Sequence, residues 1–71
     1  MSKGLGKYTF EVKKSFFVDL LNKVSDKWYE DNDVNKKAII GYAYESRVME
    51  SGTVERLTRI LNCNKSDIVY L

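Results

Sequence analysis

Few residues in this chain have types and spacing suited to chemistry. The acidic run Glu30-Asp31-Asn32-Asp33 gathers carboxylates that could attract a divalent cation. It lacks the glycine and the distal glutamate of a calcium-binding loop, so a solvated helix end is the expected role. Cys63 is the sole thiol and there is no histidine. A thiol becomes a nucleophile when a base or several cations favour its thiolate, and Lys65 alone does not supply that setting. Cys63 is therefore expected to be a buried structural residue. Gly4-Leu5-Gly6-Lys7 is too short to cradle a phosphate and reads as a flexible lead-in. No catalytic residue, metal site or cofactor is expected, and the chain does not read as an enzyme.

The remaining chemistry is that of recognition. Twelve Lys and Arg stand against ten Asp and Glu, for a net charge of +2. That is a weak attraction for nucleic acid, so the distribution of charge matters more than the total. Lys3, Lys7, Lys13 and Lys14 make the start basic, residues 26 to 33 are acidic, and Lys36, Lys37, Arg47, Arg56, Arg59 and Lys65 make the rest basic again. Tyr8, Phe10, Phe16, Trp28, Tyr29, Tyr42, Tyr44 and Tyr70 are more aromatic surface than a core of this size easily hides. Aromatics left outside favour protein interfaces.

The elements that must position these groups follow from hydrophobic period. Seventy-one residues, 44% apolar, suffice for a single packed domain. A division into an N-terminal arm or strand over 1–14 and a helical domain over 15–71 is expected. Tyr8, Phe10 and Val12 alternate with polar residues, as in a half-buried strand. Its partner is expected in the tail Ile68-Val69-Tyr70-Leu71, in a symmetry mate or in another protein. Phe17, Leu20, Leu21, Val24 and Trp28 then follow a helical period, with Ser15 as the expected N-cap. Asp33 is expected to cap a second helix from Val34 toward Gly41, followed by a turn near Gly41 or Tyr42. Tyr44 to Glu50 reads as a short third helix with Val48 and Met49 turned inward. Gly52 is expected as a left-handed C-cap before a last long helix whose apolar face is Val54, Leu57, Ile60 and Leu61. Ser66 or Asp67 is expected to start a final turn that returns Ile68 to the core. No apolar run approaches the ~18 residues needed to span a bilayer, so a cytoplasmic protein with no membrane contact is expected.

The segment from Gly52 to Ile68, with Leu57, Ile60 and Leu61 at inward positions, Cys63 after the helix and Asp67-Ile68 beyond it, resembles the end of the Cro and phage-repressor (Xre-like) helix-turn-helix family. The resemblance implies a mostly α fold, a compact four- to five-helix helix-turn-helix domain preceded by a short strand or extended arm. It makes 16–29 the first helix, 34–41 the second and 44–50 the recognition helix. It further implies a small regulator of transcription, of the type found in phages or mobile elements, that binds operator DNA. Asn35, Lys36 and Lys37 would meet a phosphate at the start of the second helix. Tyr44, Ser46 and Arg47 would face the bases, Arg47 being suited to a bidentate guanine contact, and Arg56 would add a backbone contact.

Glu45 and Glu50 on that recognition helix oppose phosphate. Together with the low net charge and the surplus aromatics, they support an alternative on the same fold. This is a protein-interaction module, such as an antirepressor that binds and inhibits a repressor-type protein, with homodimerisation also open.

Overall fold

The computed structural model describes residues 8–45 and 48–71. Within them the chain is a compact, mostly helical domain of five helices and a small three-stranded antiparallel sheet. The strands are β1 (Thr9–Val12), β2 (Val48–Glu50) and β3 (Val69–Tyr70), in the order β2-β1-β3. The helices are α1 (Lys14–Lys23), α2 (Asp26–Asp31), α3 (Lys36–Ile40), α4 (Ser51–Leu61) and α5 (Lys65–Ile68), and a π-helical turn, Gly41–Glu45, follows α3 directly.

The expected N-terminal strand is present and lies at the centre of the sheet. Thr9, Phe10 and Glu11 stand opposite Glu50, Met49 and Val48, while Glu11 and Val12 stand opposite Tyr70 and Val69. The C-terminal tail is thus one partner, as expected, and β2 is a second that was not. Alternation along the strands sends Val12, Met49 and Val69 inward, all buried. Helix α1 packs on α3, the π-helical turn and α5. Its Phe17 is fully buried, 5.3 Å from the Phe16 ring and 5.4 Å from the Tyr42 ring between centroids. Ile39, Val54, Leu57 and Ile68 complete the centre, with Ile60, Leu61 and Cys63 packed half-buried around it.

Several local expectations are corrected. The single helix over 16–29 is two helices. Val24 takes an extended conformation (φ −103°, ψ 150°) while its N–H still bonds the Leu20 carbonyl, and Ser25 begins α2. These two extended residues move Trp28 and Tyr29 off the α1 face, and Tyr29 becomes the buried residue of α2. Lys13, not Ser15, is the N-cap of α1. Asp33 does not cap the second helix. It adopts a left-handed backbone (φ 54°), which a short polar side chain tolerates better than most, and Asn35 is the cap, its carboxamide oxygen accepting from the Lys37 N–H at 2.9 Å. In place of a turn at Gly41, the helix widens into the π-helical segment.

The largest correction concerns 44–50. Among the described residues of this stretch the expected recognition helix is absent: Tyr44 and Glu45 end the π-helical turn, and Val48–Glu50 is β2. Met49 is 1% exposed and Val48 52%, so only the methionine points inward. Gly52 is not a left-handed cap but lies in the first turn of α4, which starts at Ser51. The left-handed cap is Asn62 (φ 54°, ψ 52°), at the other end of α4. Asn64 then starts α5, its N–H bonded to the Asp67 carboxylate at 2.9 Å.

Candidate interaction surface

The outer face of the sheet carries the residues that alternation turns away from the core. One row crosses all three strands. Val48, Glu11 and Tyr70 are adjacent in register, with Thr9 and Glu50 forming the next pair on β1 and β2. Val48 is 52% exposed and Tyr70 56%, and Tyr8 and Leu71 at the strand ends are exposed as well. Lys13, just past the end of β1 and two residues beyond Glu11, holds its ammonium 5.0 Å from the Tyr70 ring centroid. An open groove beside this row is lined by Glu11, Val12, Lys14, Ser15 and Tyr70. The row therefore presents one carboxylate, on the central strand, between an aliphatic and an aromatic side chain.

The cations expected to meet phosphate are largely engaged inside the domain. Lys36 bonds Asp26 at 2.8 Å, a contact that raises its pKa and keeps it charged. Arg56 hydrogen-bonds the Asp33 carbonyl and lies 3.7 Å from the Asp33 carboxylate. The Asn35 side chain is used in capping Lys37, whose exposed ammonium has no ion-pair partner among the described residues. Tyr44 and Glu45 are exposed, and Glu50 lies on the outer sheet face, where it is engaged within the domain. Ser46 and Arg47 lie outside the described residues, as do Lys3, Gly4, Gly6 and Lys7. The structure thus gathers Asn35, Lys36 and Lys37 at the start of α3. Among the described residues no α-helix lies between α3 and β2 to serve as a reading element, the π-helical turn being the element between them.

Beside the sheet, Tyr42 is half-buried, and burial is the main reason its pKa is raised. The Glu50 charge adds to that rise, and a hydrogen bond with Thr53 opposes it. The Cys63 thiol is likewise pushed up by burial and then by Asp67, the reverse of what a nucleophile needs. Glu30, Asp31 and Asp33 are exposed, and no group of acidic or sulfur side chains among the described residues is arranged to hold a metal ion. No helix among them is long and apolar enough to cross a membrane.

Two residues of this surface, Glu11 and Val48, did not figure among the expected contacts. The alternation of Tyr8, Phe10 and Val12 already implied that Glu11 faces outward. Nothing local implied that Val48 would stand beside it. No protein-family model, curated protein or solved structure matches the chain significantly.

Proposed function

We propose that this domain acts by binding another protein through the outer face of its sheet. The observation that carries the reading is the Val48–Glu11–Tyr70 row, in which two large exposed apolar groups flank a carboxylate. Exposed apolar area on a small domain is retained where it is covered by a partner, and a charge within it selects which partner. The resemblance of 52–68 to phage repressors makes a repressor-type protein the first partner to try. Operator binding, the competing proposal, has less support. It loses its reading helix to β2, and Lys36 and Arg56 would have to leave Asp26 and Asp33 to reach phosphate.

The test captures partners of the full chain from its native host beside a Val48→Lys, Tyr70→Ala double variant. One stoichiometric protein retained by the parent and lost by the variant is the expected result. Recovery of DNA fragments in a strongly salt-dependent manner by both proteins would overturn the reading in favour of operator binding.

A further inference from the structure

The hydrogen-bond phase of the sheet shows which of its edges is open. The Ser51 N–H bonds the Tyr8 carbonyl at 2.8 Å, so in an antiparallel ladder the next bonded pair is Phe10 with Met49, and Glu11 and Val48 form a non-bonded pair between strands. The other side of β1 agrees. The Lys13 N–H bonds the Ile68 carbonyl at 2.8 Å, so the backbone of Glu11 is directed at Tyr70 on β3 and not at β2. The N–H and C=O of Val48 therefore point away from the sheet, and no turn, loop or cap bond among the described residues uses them. The opposite edge is different. There the Val69 N–H is taken up by the Lys65 carbonyl at the end of α5.

We infer that the β2 edge accepts an extended strand from a partner protein, one whose outward side chains alternate between lysine or arginine and an apolar residue. The inference rests on the protein-binding reading above and specifies its mode. Unpaired strand N–H and C=O groups are satisfied in register by another strand, which is why edges recruit extended segments. The preference for cations comes from Glu11 and Glu50, the carboxylates on the outer face around Val48. Glu11 has no ion-pair partner among the described residues, whereas Glu50 is already engaged within the domain and contributes charge only. Lys13, just past the end of β1, is drawn over Tyr70 on the β3 side, and among the described residues the β2 side carries the carboxylates. An added strand places one side chain beside Val48 and a long basic one within reach of the carboxylates.

The test uses the full chain, isotope-labelled, with two short synthetic peptides as probes, repeats of Lys-Thr-Val-Thr and of Glu-Thr-Val-Thr, in which the charged residue and valine alternate along one face of the strand. The basic peptide is expected to bind on the order of tenfold more tightly than the acidic one and to protect the Val48 amide from exchange. Val48→Pro removes that N–H without removing a bond of the native sheet, because proline is accepted where a strand N–H faces outward. It should keep the native circular dichroism and lose the peptide. Should that variant fail to fold, Glu11→Lys serves instead and should reverse the preference between the peptides. Equal affinity for the two peptides, no binding, or binding without protection of Val48 overturns the inference. So does a Val48 amide already protected in a self-associated free protein. Peptide shifts confined to Tyr70 and Leu71 would overturn strand addition while leaving the protein-binding reading standing.

Discussion

Arg56, on the outer side of α4, hydrogen-bonds the backbone carbonyl of Asp33 and lies 3.7 Å from its carboxylate. The contact joins the left-handed residue ahead of α3 to a helix far along the chain. It also holds against Asp33 a cation that was expected to touch a DNA backbone. Both side chains are substantially exposed, so screening limits what the ion pair contributes.

Arg56→Ala is accordingly expected to lower stability by less than about 1 kcal/mol, a shift of a few degrees in the thermal midpoint. Any protein-binding activity should be unchanged. Calorimetry on the two proteins checks the first point, and a loss of several kcal/mol would mean that the Asp33 turn depends on this one side chain.

Gly52 separates two accounts of the same residue. A left-handed cap would be damaged by a side chain, whereas a glycine in the first turn of a right-handed helix is improved by one. A Cβ built on Gly52 meets nothing within 4 Å. Gly52→Ala is expected to stabilise the domain by about 0.5 kcal/mol, measured from urea unfolding. Destabilisation would restore the cap.

Tyr29 is buried against Trp28, and its hydroxyl has no hydrogen-bond partner among the described residues. A buried polar atom without a partner carries its desolvation cost uncompensated. Tyr29→Phe keeps the ring and removes that atom, so it should raise stability by about 1 kcal/mol. A drop of similar size in denaturant unfolding would reveal a hydrogen bond to the hydroxyl.

Burial raises the pKa of both Tyr29 and Tyr42 above the ordinary tyrosine value of 10.0, so the native state holds these phenolic protons longer than the unfolded chain does. Stability from this source is complete below the unfolded value and is lost as the pH rises through the raised native values. The urea midpoint should therefore fall above pH ~10, in step with tyrosinate absorbance. Tyr42→Phe should flatten part of that fall.

Ile39 is fully buried on α3 and Ile68 on α5. Ile39→Ala should cost roughly 2–5 kcal/mol, as truncation of a packed aliphatic leaves a cavity that neighbours fill only partly. For a domain this short such a loss approaches its whole stability, so the variant should be largely unfolded by circular dichroism near physiological temperature.

What the sequence discloses and what it hides divide along the range of the interactions. The strand ending at Val12 and the apolar face of α4 through Val54 and Leu57 are where period placed them, although β1 starts at Thr9 and leaves Tyr8 exposed. Asn62, where the Asn62-Cys63-Asn64-Lys65 run ends the same apolar pattern, takes the left-handed cap of α4. The break between α1 and α2 has no glycine or proline to announce it. It rests on two extended residues, Val24 and Ser25, the first of which also fits a helical stripe. Strand β2 is harder still. Its three residues, Val-Met-Glu, satisfy a helical reading equally well, and they become a strand because Met49 finds Phe10 and the core, a contact between distant parts of the chain. The proposed surface inherits this limit. Glu11 and Tyr70 were readable as outward-facing, but their alignment with Val48 exists only once the sheet has formed.

The central position of β1 has a kinetic corollary. Val12 pairs with Val69 across almost the whole described chain, and Phe10 pairs with Met49 across more than half of it. A bundle of short helices folds through neighbours in sequence, whereas here the first strand must wait for segments that lie far along the chain. The domain is helical by content, and its folding rate should be closer to that of a mixed sheet and helix protein of its size, with closure of the β1–β3 pair late on the pathway.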